Sequence, residues 1–401
     1  MTAHARSEGL PLPDKPSIAV LPFTNMSGDP EQQYFADGIT EDIITELSRA
    51  RGLFVTARNS SFSYRDKAVD VRRIAHELSV RYVVEGSVRR MAGRIRITAQ
   101  LIDAVSGNHV WSERFDRSID DLFAIQDELI QTIVATITGR LEDAEIWNSS
   151  RKRTGSLSAY DCLLRGIEQL RAYGPEVNRR ARELFEQAVA LDPQYALAHA
   201  YLALSLVIES GYFSAPDAIK QRALESAVTA VGLDPRESRC HIFLGQIHRF
   251  RSEYDLAISH LERGLALNPN DATGMIHLAS VLGVSGRAEE GLEIIHRAIK
   301  LDPFLRFYWG ALAICLYTLR RYEEALAAHQ KRLESDKSPW WLAKEAACLA
   351  QLGRLEEAHA LAAEVLRRKP SFSVRVEMPH YKYPGDAENL RQGLLMAGLP
   401  E

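Results

Sequence analysis

The sequence predicts an α/β amino-terminal domain followed by an all-α superhelix of helical repeats. Two observations carry that prediction. Short apolar runs alternate with amphipathic stripes up to about residue 147, and beyond it a Leu-Asp/Asn-Pro tripeptide recurs at Leu191, Leu233, Leu267 and Leu301. A third observation sets the frame. The 401 residues, 46% hydrophobic and 25% charged, can bury two or more cores and are not the composition of a long disordered chain.

Residues 1–16 end in three prolines, Pro11, Pro13 and Pro16, which favour extended backbone and read as a linker. Ser17 to Phe23 is an apolar run suited to a buried strand. Phe35, Ile39, Ile43 and Leu47 fall at four-residue steps, one face of a helix. Leu53 to Ala57 reads as a second strand and Val71 to Leu78 as a short helix. Tyr82 to Arg90 and Arg94 to Ile102 flank Met91-Ala92-Gly93 as a hairpin, the second strand alternating Ile95, Ile97, Ala99 and Leu101 with polar neighbours. His109 to Arg117 makes a further strand. A long helix from Asp120 to about Trp147 carries Leu122, Ile125, Leu129 and Ile133 in one stripe.

Asn148 to Ser158 is polar and basic and is expected to be a hinge. From residue 159 to about 373 the chain is helical and periodic, with Pro235, Pro269 and Pro303 each 34 residues from the next. Small and large residues recur in phase, as at Leu244-Gly245, Ala257, Leu261 and Gly264. Small side chains let paired helices approach, large ones fill the space to the next pair, and proline ends one helix and starts another. Spacing and residue types together resemble the tetratricopeptide-repeat family, with about six helix pairs. Residues 374–401 are expected to form a carboxy-terminal cap.

Function classes are narrowed mainly by what the sequence lacks. The 49 basic and 53 acidic residues nearly balance, so nucleic acid is not the expected partner. Cys162, Cys240, Cys315 and Cys348 form no pair or cluster, which reads as free thiols in a reducing, cytoplasmic setting. No apolar run reaches the roughly 18–20 residues of a membrane helix. No phosphate-binding glycine loop, zinc motif or nucleophile elbow occurs, so no catalytic residue, cofactor or metal is assigned.

Several clusters have simple structural readings. Ser27-Gly28-Asp29-Pro30 is a turn, and Asp37, Glu41 and Asp42 suit a first helical turn. Arg58-Asn59-Ser60-Ser61 is a polar loop able to touch a ligand. Arg89, Arg90, Arg94 and Arg96 lie around the hairpin as a wet strand face. His241 and His248 share one repeat helix without metal-ligand spacing. The repeat groove is the stronger candidate site. The first helix of each repeat lines it through regular positions, here Arg239, Gln246, Arg249, Phe307, Tyr317 and Trp340. Arginine with aromatic side chains suits a protein or peptide segment, unless the rings pack between repeats instead.

Within residues 17–147, the motifs Ser17-Ile18-Ala19-Val20-Leu21-Pro22-Phe23, Tyr34-Phe35-Ala36-Asp37-Gly38, Tyr82-Val83-Val84-Glu85-Gly86-Ser87-Val88-Arg89 and Gln100-Leu101-Ile102-Asp103 stand in order. They resemble a TolB-like domain of the FlgO and CsgG type. That resemblance, joined to the repeats, implies the carboxy-terminal half of bacterial signalling proteins. In those, a class III adenylate or guanylate cyclase domain, or a winged-helix DNA-binding domain, precedes a proline-rich linker. Nothing in residues 1–16 could supply the paired aspartates of a cyclase. The expected function is therefore a non-catalytic scaffold or sensor, with a cyclase or a transcriptional regulator among the implied partners. The alternative is the regulatory portion of a cyclase system whose catalytic domain lies upstream or on another chain.

Overall fold

The computed structural model describes residues 16–50, 53–67, 69–91, 93–138, 154–172, 174–302, 308–331, 338–377 and 381–401. Most of the amino-terminal linker and residues 148–153 of the expected hinge lie outside these ranges. The described chain falls into two compact units. The first comprises Met1–Ala198, Ala266–Asp271 and Leu301–Phe304, and the second His199–Leu265, Ala272–Lys300 and Leu305–Glu401.

The first unit is built on a mixed sheet of β1 (Ser17–Val20), β2 (Thr24–Asn25), β3 (Phe54–Val55), β4 (Tyr82–Met91), β5 (Arg94–Asp103) and β6 (Asn108–Ser118). Its order is β3-β1-β4-β5-β6, with β2 paired to β4. β1 runs parallel to β3 and β4, whereas β4, β5 and β6 are antiparallel neighbours. The second expected strand is only the two residues of β3.

β1 is apolar on both faces because both faces are covered. Ile18 and Val20 enter one core with Phe35, Ile39, Val84, Ile97, Leu122 and Ile125. Ala19 and Leu21 enter another with Ile74, Leu78 and Val83. The covering helices are α1 (Gln33–Leu47), α3 (Val71–Leu78) and α4 (Leu122–Thr138), with α2 (Arg58–Phe62) a short turn of helix after β3. Side chains alternate across β5 as its pattern predicts, with Ile95, Ile97, Ala99 and Leu101 fully buried. On its polar face, Arg94 and Arg96, together with Arg114 of β6, donate to Asp116.

Two expectations need correction here. α1 begins at Gln33, so Asp37, Glu41 and Asp42 sit in the body of the helix rather than in its first turn. Arg58 to Ser61 is helical, not a loop, because Asn59 and Ser60 turn inward and donate to Asp302 of the same unit at 3.2 and 2.5 Å.

Helices α5 (Leu157–Arg171) and α6 (Pro175–Leu191) also belong to the first unit. Tyr160 and Leu164 of α5 join the core beneath α1 and α4. Tyr160 donates its hydroxyl proton to Asp42 at 2.5 Å, and Tyr34 donates to Asp161 at 2.5 Å.

The repeat helices continue as α7 (Ala196–Glu209), α8 (Asp217–Leu233), α9 (Ser238–Phe250), α10 (Tyr254–Leu267), α11 (Ala272–Val284), α12 (Ala288–Leu301), α13 (Tyr308–Thr318), α14 (Tyr322–Lys331), α15 (Pro339–Gln351) and α16 (Leu355–Arg368). The recurring tripeptide has a local job. Asp192, Asp234 and Asn268 each accept, through side-chain oxygen, the backbone N–H two residues on, at 3.0, 3.0 and 3.3 Å. This turn closes one helix and releases the next. The opposite turns hold one left-handed residue each, Ser252, Gly286, Arg320 and Gly353. The chain ends with α17 (Val374–Glu377) and α18 (Pro384–Met396), and Leu390 and Leu394 of α18 are buried.

Candidate ligand-binding face of the repeat helices

The expected groove residues are treated very differently by the fold. Phe307 lies outside the described residues. Tyr317 of α13 is only 4% exposed, packs edge-on against Tyr322 with ring centroids 5.1 Å apart, and donates to the Asn389 carbonyl at 3.3 Å. Its ring is thus packed against its neighbours. Trp340 of α15 is half-buried, stacked on Phe372 at 6.4 Å, with the Lys344 ammonium 5.0 Å from its ring. Arg239 of α9 is held by Glu237, Nε to Oε1 being 3.0 Å.

Gln246 and Arg249 are the informative pair. They sit three residues apart on α9, and therefore on one face of it. Gln246 is 2% exposed and its Nε2 has no acceptor among the described residues. Arg249 lays its guanidinium carbon 5.6 Å from the Phe213 ring and 6.0 Å from the Phe250 ring. Its Nε is buried and also lacks an acceptor. Burial pulls its pKa down to about 10, and no carboxylate among the described residues pairs with it. Burial, reinforced by the Arg249 charge, pushes His277 of α11 down to about 3, so this imidazole is neutral.

A second cluster lies nearby in sequence. His241, His260 and His248 form a run of parallel rings with centroids 5.5 Å apart. His241 Nε2 donates to the Pro235 carbonyl at 3.1 Å, which leaves its Nδ1 to accept from His260 Nδ1 at 3.2 Å. Burial, then the neighbouring imidazoles, lower His260 to about 4. No group of three or more potential metal ligands occurs among the described residues.

In the first unit, several charged side chains form ion pairs with one another. Arg65 pairs with Asp37, and Arg58 and Arg171 both pair with Glu41. Arg58 also covers the Phe62 ring at 3.8 Å. Asp29 accepts from the Glu31 N–H at 3.0 Å beside left-handed Gly28, which makes Ser27 to Pro30 a turn. Arg89 donates to the Met26 carbonyl at 2.9 Å, and Arg90 approaches Asp161 at 3.4 Å.

Sequence reasoning did not pick out Phe213, His277 or Tyr160. Phe213 follows an irregular glycine-containing turn with no repeat register. His277 falls one turn ahead of Ser280, the residue at Gln246's place in the next repeat, and carried no signal of its own.

Residues 276–339 match the tetratricopeptide repeat family. Residues 14–134 match the family described as HilA/YgeH-like transcriptional regulator, second domain. The helices within residues 276–339 are thus of tetratricopeptide-repeat type. The amino-terminal segment is thereby similar to a domain of HilA-like regulators. A protein of Rhizobium meliloti named putative adenylate cyclase 3 is 48% identical over 236 residues, which is 58% of this chain and 40% of that protein. The chain thus aligns with two fifths of that relative's length. Among solved structures, PilF of Pseudomonas aeruginosa covers 54% of this chain and 93% of its own, at 17% identity and a TM-score of 0.40. YrrB, described as a tetratricopeptide-repeat protein with an unusual peptide-binding site, covers 47% and 93%, at 18% identity and a TM-score of 0.33. No helix among the described residues is long and apolar enough to cross a membrane.

Proposed function

We propose that this chain is a non-catalytic interaction and sensing module of bacterial signalling, binding a protein or peptide through the face of its repeat helices. The observation that carries the reading is the pair Gln246 and Arg249 on α9, whose buried Nε2 and Nε have no hydrogen-bond acceptor among the described residues. The tetratricopeptide match supports a binding role, because stacked helix pairs offer extended surfaces free of packing duty. Residues 17–147 are read as a TolB-like domain accompanying an effector. The HilA-like match favours a transcriptional effector, and the name of the Rhizobium relative favours a cyclase. In the second reading this chain is the regulatory portion of a class III cyclase system, with catalysis supplied by a separate domain.

The test has two arms. Purified chain incubated with ATP or GTP and magnesium or manganese should form no cyclic nucleotide, and turnover that survives further purification would remove the non-catalytic reading. A synthetic peptide array probed with the full chain should capture a subset of sequences. Capture lost on deleting residues 17–147, with the repeats still folded by circular dichroism, would move binding to the first unit.

A further inference from the structure

We propose that the outer edge of β6 is a dimer interface, at which two copies of this chain pair antiparallel through Ser112 to Ser118 about a two-fold axis at Phe115.

A sheet edge presents unpaired N–H and C=O groups, and monomeric proteins blunt such edges with short strands, lysine or proline. The two edges of this sheet differ. β3 has only 2 residues, Phe54 and Val55. β6 has 11, with no proline, lysine or glycine among them. Among the described residues it pairs with β5 alone. Its one irregularity is at Val110, the extra residue between the partners of Leu101 and Ile102. From Trp111 to Ser118 the ladder with β5 is unbroken, so this stretch offers a regular outer edge.

The sequence of that edge specifies what fits it. Ser112-Glu113-Arg114-Phe115-Asp116-Arg117-Ser118 is a charge palindrome. Side chains alternate between the two faces of a strand, so identical antiparallel strands keep their faces continuous only when the two-fold axis passes through a residue. With the axis at Phe115, Glu113 stands opposite Arg117 of the second copy and Arg114 opposite its Asp116, and each pair occurs twice. Ser112 meets Ser118, and Phe115 meets its own copy. Moving the axis one residue either way removes every one of these charge pairs. It also sets Arg114 or Asp116 against itself. Opposed unlike charges stabilise a strand pair and like charges destabilise it, so the Phe115 register is selected.

The charges are shared between the two faces. Arg114 and Asp116 lie on the polar face, where Asp116 accepts from Arg94, Arg96 and Arg114. Glu113 and Arg117 lie on the face of Phe115, where Arg117 meets Glu128 of α4 at 2.8 Å. Glu113 is exposed and has no ion-pair partner among the described residues. Pairing supplies one. A strand from a different protein would need the same charges in reverse order, whereas a second copy provides them by symmetry.

The experiment sediments the full chain over about 1–100 μM, and it should pass from one copy to two. E113R and R117E each set like charges opposite one another twice per dimer. Each should weaken association at least about tenfold. Mixed one to one, the two variants should associate again, because their charges are complementary across the axis. A chain that stays single at every concentration overturns the proposal and leaves the edge to a strand of another sequence. A dimer that either variant keeps lies on a different face, and variants that separate without re-associating in the mixture exclude the Phe115 axis. Either result overturns it. If a variant does not fold, amide hydrogen exchange of the wild-type chain decides. The β6 amides that point away from β5 should exchange more slowly at high than at low concentration, and exchange that ignores concentration rules the pairing out.

Discussion

At the scale of single residues, Gly86 is the clearest case of a side chain forbidden by its neighbours. A Cβ there would stand 2.6 Å from both the Phe23 ring and the Thr98 carbonyl of the paired strand. The ring could turn, but the carbonyl belongs to the β4–β5 ladder and cannot. Gly86→Ala should therefore destabilise the first unit by about 2 kcal/mol, read as a lower denaturant midpoint with unchanged slope. The histidine run gives a second residue-scale expectation. His260 has a folded pKa of about 4 against an ordinary 6.5. Above 6.5 both folded and unfolded states are neutral and nothing is lost. Below it the unfolded chain takes up protons that the folded chain refuses, so stability falls from pH 6.5 down to about 4. His260→Gln should lessen the fall in melting temperature across that window by about 2 °C or more. An identical slope in the variant would show that carboxylates alone set the acid response.

At the scale of elements, much was legible. Strand β5 was readable from alternation, because one face meets the core and the other meets Asp116. The repeat turns were readable from Leu-Asp/Asn-Pro, because the Asp or Asn oxygen does the same local bonding each time. Other elements were hidden for physical reasons. The five residues of α2 are too few to display a period, and their inward bonding is to Asp302, far along the chain. α5 carries a stripe no different from that of a repeat helix, so nothing local reveals that Tyr160 and Leu164 enter the core under α1. Arg249 occupies a regular lining position, and spacing alone does not disclose that its Nε is buried without an acceptor among the described residues. The repeat turns also allow a prediction. Arg320 has φ of 60°, where the equivalent positions of two other repeats hold Gly286 and Gly353. The left-handed region penalises a Cβ by about 1 kcal/mol, partly offset by the greater freedom of glycine in the unfolded chain. Arg320→Gly should stabilise the repeats by about 0.5 kcal/mol in a denaturation series, and a loss of stability would mean the arginine side chain contributes more than its backbone costs.

At the scale of the whole molecule, the first compact unit runs to Ala198 and includes α5 and α6. A fragment of residues 16–147 should accordingly melt well below one of residues 16–198. Truncation at 147 removes Tyr160 from Asp42 and strips Leu164 from the core, exposing apolar area worth about 1.5–3 kcal/mol per large side chain. Equal melting temperatures would mean that α5 merely rests on the sheet. The placement of α5 also bears on when the protein acquires its structure. β1 must wait for β4, since Ile18 pairs with Tyr82 across everything between them. The core that both strands help to enclose then waits for a helix made after α4. Neighbouring repeat helices, by contrast, need only each other, and local pairings close quickly while distant ones close slowly. Refolding from denaturant should show most of the helical signal returning early. Protection of the β1 and β4 amides from hydrogen exchange should follow in a later, slower phase. During synthesis, the apolar run from Ser17 to Phe23 would leave the ribosome well before Tyr160 and Leu164, which complete the core it enters, and it would stay unburied until they follow.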